Sequence, residues 1–209
     1  ISVDAKFSIF EDHKNQLWVG TKDGLNYFDR KLEIFKRYKH EPENKKSISN
    51  DRVKVIYEDS EHNLWVGTEN GLNKFNWGDE SFTHYFKNPD NPNSLSNNVI
   101  NDIYEDSEGN LWIATNDGFN KYNRETDQFT VYNEFKYENS IILTTTITSL
   151  VEDKTGIMWV GTLQGLIKIE ENKKKFNIYA KNERGEPLFS NNYISSIYLE
   201  NKDKVWVGT

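Results

Sequence analysis

Five tryptophans, Trp18, Trp65, Trp112, Trp159 and Trp206, stand 47 residues apart along a chain of 209 residues. Their surroundings repeat with them: LWVGT, LWVGT, LWIAT, MWVGT and VWVGT. Four equal spacings with matching flanks do not arise by chance. A period of this size marks a repeat architecture in which each unit buries a face against the next. Trp77 is the remaining tryptophan and falls outside the series.

Within each unit the pattern is that of strands. Upstream of the tryptophan lies a run such as VKVIYED (residues 53–59) or VINDIYED (99–106). After it comes GLNKF (71–75) or GFNKY (118–122), and then a fourth run: FKRY from Phe35, FTHYF from Phe82, FTVY from Phe129 and FNIY from Phe176. These runs are short, rich in aromatic and β-branched residues, and bounded by Gly, Asn, Asp and Ser. Each unit therefore reads as four antiparallel strands, a to d.

The turns carry the same message. Three residues before each tryptophan stand Asn15, His62, Gly109, Gly156 and Asp203. Glycine, and next to it Asn, Asp and His, are the residues that accept positive φ, so a left-handed position is expected to close the a–b hairpin. Gly24, Gly71, Gly118 and Gly165, six residues after the tryptophan, mark the b–c turn. Strand b is apolar throughout, as expected of a strand covered on both faces. Two residues past each tryptophan the side chain is small (Gly20, Gly67, Ala114, Gly161, Gly208), which is expected to make room for an indole of the next unit.

A repeated four-stranded unit of this length is the recipe for an all-β fold of β-propeller blades. Residues 1–209 are expected to form a single β-propeller segment. Its approximate blades are 1–47, 48–94, 95–141 and 142–188, with a partial blade at 189–209. About four and a half blades make an incomplete propeller. The expectation is a fragment whose partners are other blades of the same polypeptide or a second copy, as a homodimer.

The unit SLSNNVINDIYEDSEGNLWIATNDGFNKYNRETDQFTVY (94–132) resembles the two-component regulator propeller repeat, with its S-L-S-x-N, E-D, L-W-x-G-T, G-L and F-x-x-Y words. The resemblance implies the extracytoplasmic sensor region of a bacterial histidine kinase or hybrid two-component system, periplasmic or at the cell surface. Such regions stand ahead of a Y-Y-Y domain, a membrane helix and a kinase, and some members respond to oligosaccharides. Two departures stand out. The last unit has Leu199-Glu200 in place of the E-D pair, and the linker NEFKYENSIILTTTITSL (133–150) lacks the S-L-S word.

Chemistry is sought among these residues and not found. The chain has no cysteine, which excludes disulfides, thiolate metal sites and a cysteine nucleophile. No phosphate loop, nucleophile elbow or calcium-loop spacing occurs. His13, His40, His62 and His84 show no metal-ligand spacing along the sequence and read as solvated turn residues, so no metal or other cofactor is expected. A formal charge of -7 disfavours nucleic acid and anionic lipid as partners. No apolar run is long enough to insert in a membrane as a helix.

Words that recur four or five times argue for architecture rather than catalysis, and the chain is expected to be no enzyme. Specificity should lie where the repeat breaks. Trp77, in a c–d turn, and Phe135 and Tyr137, in the linker before the fourth unit, are the candidate ligand contacts, suited to stacking on an oligosaccharide. The leading reading is a ligand-sensing fragment of a two-component sensor. The rivals are a propeller scaffold that binds a protein and a propeller lyase or hydrolase.

Overall fold

The structure, a computed structural model, describes residues 6–137, 140–143, 146–170, 175–182, 184–201 and 204–209. Every named element among them is a β-strand. The chain divides into two compact units, Ile1–Ile103 and Tyr104–Thr209.

The first unit holds two four-stranded antiparallel sheets. One runs β1 (Lys6–Glu11), β2 (Leu17–Thr21), β3 (Gly24–Asp29), β4 (Ile34–Tyr38), and the other β5 (Val53–Glu58), β6 (Leu64–Thr68), β7 (Gly71–Asn76), β8 (Ser81–Tyr85). The boundary between units falls inside β9 (Ile100–Glu105), which opens a third sheet with β10 (Leu111–Thr115), β11 (Gly118–Asn123) and β12 (Gln128–Tyr132). A two-stranded hairpin follows, β13 (Glu134–Tyr137) and β14 (Ser140–Leu143). The fourth sheet is β15 (Ile147–Glu152), β16 (Met158–Thr162), β17 (Gly165–Glu170) and β18 (Lys175–Tyr179). The fifth repeat has two strands, β19 (Ser196–Asn201) and β20 (Lys204–Gly208). The four-stranded blade expected from the repeat is thus present, with strands paired in sequence order.

The turn chemistry explains why the register recurs. Asn15 and His62 have φ of 57° and 62°, and Gly109 and Gly156 have φ of 80°, so the a–b hairpin does close through a left-handed residue. Asp203 lies outside the described residues. At the b–c turn the threonine of each tryptophan word pairs with the turn glycine, Thr21 with Gly24, Thr115 with Gly118 and Thr162 with Gly165. Its hydroxyl donates to the glycine carbonyl (Thr68 to Gly71, 2.8 Å) and accepts from the turn amide (Asn70, 3.1 Å). A buried hydroxyl satisfied both ways fixes the turn, which is why the word ends in Thr.

The core lies between neighbouring sheets. In the first unit Trp18, Leu25, Ile48, Val53, Ile56, Leu64, Val66, Phe75 and Phe82 form one buried cluster. In the second, Trp112, Ala114, Phe119, Ile147, Leu150, Met158, Val160 and Ile167 form another. Strands β6 and β10 are buried along their whole length, as expected of strands covered on both faces.

The small residue after the tryptophan makes a different joint from the one expected. A Cβ on Gly67 would stand 2.5 Å from Val55 Cγ1 and 2.6 Å from Ile100 Cγ2, and one on Gly20 would stand 2.7 Å from Val53 Cγ1. The space is taken by an aliphatic residue entering strand a of the next repeat, not by an indole. Ile194 plays the same part against Gly161. The indole itself reaches the next sheet elsewhere: Trp18 packs edge-on against Phe75 at 5.3 Å.

Candidate functional site

Each a–b hairpin ends in the second carboxylate of the E-D pair, and that aspartate holds the tryptophan six residues on. The indole Nε1 donates to the carboxylate at 2.8 Å in Trp18–Asp12 and Trp65–Asp59, 2.7 Å in Trp112–Asp106 and 2.9 Å in Trp159–Asp153. The other oxygen accepts backbone amides of the turn, Glu61 at 3.1 Å and Asn63 at 2.9 Å in the second sheet. The aspartate is thereby committed to the hairpin, and the indole nitrogen is satisfied where it is buried. In the fifth repeat Glu200 stands in the aspartate's place and takes the Trp206 indole at 2.6 Å. The irregular Leu199-Glu200 therefore keeps the bond. Trp206 is nevertheless 53% exposed, against 1% for Trp18, since its sheet has two strands.

The first carboxylate of the pair joins neighbouring repeats. In the second unit Glu152 accepts from the Ser107 backbone amide at 2.6 Å and from its hydroxyl at 2.8 Å. In the first unit Glu58 accepts from the His13 amide at 2.7 Å, and its Oε1 meets His13 Nδ1 in a short contact. His62 Nδ1 lies 3.9 Å from the same Oε1. The rings of His13 and His62 stack with centroids 4.1 Å apart. The two histidines, expected to be separate turn residues, thus meet on one carboxylate. Glu58 is 8% exposed, His13 30% and His62 60%, so the cluster is anchored within and open to solvent. Sequence spacing hid it, since His13 and Glu58 lie nearly a full repeat apart. The available signal was substitution against the repeat: His13 where the third repeat has Ser107, and His62 where the third and fourth have Gly109 and Gly156.

Trp77 lies beside this cluster and is half-buried against the first unit's core. Its Nε1 donates to the His62 carbonyl at 3.3 Å, and its ring stands 6.2 Å from His13 and 5.1 Å from Phe75. The Lys14 ammonium sits 4.0 Å over its face. Phe135 and Tyr137 fall on β13 in the second unit, opposite Ile142 and Ser140 of β14. Their backbone forms a hairpin where a loop was expected. Their side chains lie outside the described residues.

The first unit also has an open cleft of about 290 Å³ between β4, the 41–48 segment and the start of β8. Its charged lining is Arg37, Lys39, Glu41, Lys46, Asp79 and Glu80, three of each sign. Lys46 pairs with Asp79 at 2.9 Å, and Arg37 and Lys39 pair with Asp23 at 2.9 and 2.5 Å. The Ser81 hydroxyl and Lys46 hold the Asp79 carboxyl below its ordinary value. Tyr38 supplies an aromatic wall, and its hydroxyl is pushed up by burial.

These sheets define a β-propeller repeat protein. The family model for the two-component regulator propeller matches residues 47–70, 94–117 and 142–164, each segment running from the S-L-S position to the b–c turn. Three repeats of the chain thus carry that family's pattern. The chain is 47% identical over 49 residues to a histidine kinase of Formosa agariphila, a match covering 23% of this chain and 3% of that protein. Among solved structures it resembles the extracellular domain of a hybrid two-component system from B. thetaiotaomicron (24% identity, TM-score 0.65, 100% of this chain and 33% of that one). It also resembles virginiamycin B lyase of Staphylococcus aureus (13% identity, TM-score 0.67, 99% and 64%). At these identities the solved structures speak for the fold alone. The chain spans about a third of the first of them. No helix of the described residues is long and apolar enough to cross a membrane.

Proposed function

We propose that this chain is a non-enzymatic, ligand-sensing part of the extracytoplasmic region of a bacterial two-component sensor. The observation that carries the reading is the match of three repeats to the two-component regulator propeller. The allocation of side chains supports it. The recurrent Asp, Trp, Thr and Gly residues are engaged in hairpins and joints, and a rigid scaffold of this kind presents its variable turns to a ligand. Ligand binding shifts the packing between blades, and the polypeptide beyond them reads that shift.

For the ligand we propose a neutral oligosaccharide. The cleft's lining charges balance in sign and Lys46 pairs with Asp79 within it, so it offers hydrogen bonds with little net field, and Tyr38 adds an aromatic wall beside Lys36. Trp77 is a separate candidate stacking contact on the first unit, and Phe135 and Tyr137 are candidates of the second unit, each proposed by itself. Stacking on Trp77 requires the flexible Lys14 side chain to swing off its ring. The test is calorimetric titration of the chain with neutral and anionic oligosaccharides. Saturable binding of a neutral member, weakened by Trp77→Ala or Tyr38→Ala, is expected. Binding of none, or equal binding by both variants, overturns the ligand and its site. The sensor reading is tested separately, by whether the polypeptide carrying these blades also carries a membrane segment and a signalling domain.

A further inference from the structure

We propose that His13, Glu58 and His62 form a binding site for one divalent transition-metal ion of the zinc and nickel class, which joins the first two blades. Each residue offers one ligand atom, and the three atoms lie within 4.8 Å of one another. Ligand atoms around one such ion stand roughly 3–4 Å apart, given bonds of about 2.0–2.2 Å to nitrogen and oxygen. A shift of about 1 Å, within reach of side-chain rotation at the exposed His62, closes the set around an ion. Two imidazoles and a carboxylate suit zinc, nickel or copper, with water filling the open positions.

The two histidines converge for a reason visible in the other repeats. In the second unit the residue after the hairpin aspartate is Ser107, whose amide holds Glu152 Oε2 and whose hydroxyl reaches Oε1. In the first unit the amide of His13 holds Glu58 Oε2 in the same way, and the imidazole takes the hydroxyl's place on Oε1. The second position is glycine in the third and fourth repeats, and a Cβ built on Gly156 would stand 3.7 Å from Glu152 Oε1. A side chain at this position therefore starts out beside that oxygen. In the second repeat it is His62, held at φ 62° where glycine is the easier residue. Two departures from the repeat, on neighbouring blades, aim two imidazoles at one carboxylate oxygen. The amide of His13 on Oε2 orients the carboxylate, which is the part an outer-shell donor plays in metal sites. Hairpin closure needs neither imidazole, because Ser107 and Gly109 serve in the third repeat.

That comparison supplies test variants that keep the fold. His13→Ser and His62→Gly restore the residues used elsewhere in the repeat. The chain, purified without a histidine tag, is titrated with zinc chloride and with nickel chloride by calorimetry, and the titration is repeated on the double variant. The expected result is one ion per chain with micromolar or tighter affinity. It should weaken by at least roughly 10–100-fold in the double variant, since loss of an outer-shell partner alone costs that much. Nickel should also quench the emission of Trp77, whose ring lies 6.2 Å from His13, in the wild type and not in the double variant. Absence of binding by the wild type overturns the proposal. So does equal binding by both forms, which would place the ion on other surface groups.

Discussion

Removing the carboxylate of Asp59 tests the principal device of this fold. Asp59 is 2% exposed and accepts from the Trp65 indole at 2.8 Å and from the amides of Glu61 and Asn63. Asp59→Ala strands the indole N–H of a fully buried tryptophan, at about 1–3 kcal/mol, and removes charge-assisted bonds whose net value is about 1.5–3 kcal/mol. Water can reach the turn amides, so the two contributions overlap and the expected loss is about 3–4 kcal/mol. For a chain of this size that is a fall of roughly 6–16 °C in the melting temperature. Asp59→Asn sharpens the question. The amide keeps an oxygen for the turn but sets an N–H₂ group against the indole N–H. Trp65→Phe removes that conflict, so in the double variant the Asn substitution should cost less. Urea unfolding followed by far-ultraviolet circular dichroism on the four proteins gives the coupling, expected at about 1–2 kcal/mol. A cycle that closes to within about 0.5 kcal/mol would refute the assignment of the indole bond as the link between hairpin and core.

Gly118 has φ of 86°, and a Cβ there would stand 2.4 Å from the Tyr132 carbonyl oxygen. Gly118→Val should therefore cost at least the roughly 1–2 kcal/mol of a left-handed branched residue, and an unchanged melting temperature contradicts the b–c turn as described. At Asp153, burial pushes the carboxyl upward, but bonds from Thr155, Trp159 and the amides of Thr155 and Ile157 outweigh it and hold the value below 3.8. The folded state thus favours the ionised form. Its contribution is complete above the unfolded value and is lost as pH falls through the lower folded one. Urea midpoints measured between about pH 6 and pH 2 should show Asp153→Asn lacking part of the wild-type acid loss, and parallel curves for the two proteins contradict the assignment.

The architecture was legible because the physics that builds a blade acts locally. Strand pattern, the left-handed residue at Asn15 or His62 and the glycine at 24, 71, 118 and 165 are each set by neighbours in sequence, and the repeat displays them side by side. The family resemblance rests on the same words. What sequence could not supply was the contact between repeats. The pairing of Gly67 with Ile100 replaced the expected indole because strand register, not composition, decides which side chain faces a gap. The β13–β14 hairpin was missed because its segment breaks the repeat and offers no glycine turn. The His13–Glu58–His62 cluster joins residues from two hairpins, and only the geometry of the joint shows that positions 13 and 62 share a carboxylate. Trp77 stands out in the sequence as a departure from the repeat. Its packing under Lys14 and against Phe75 depends on neighbours that the local sequence does not name.

The central claim is that the recurrent tryptophan is an anchor clamped by its aspartate, while Trp77 belongs to the variable surface. Hydrogen exchange of the six indole N–H groups in chain labelled with ¹⁵N-tryptophan tests it most directly. The account predicts slow exchange at Trp18, Trp65 and Trp112, fast exchange at Trp77 and Trp206, and selective acceleration of Trp65 in Asp59→Asn. Uniform exchange at all six, or a Trp65 signal indifferent to Asp59, would contradict it.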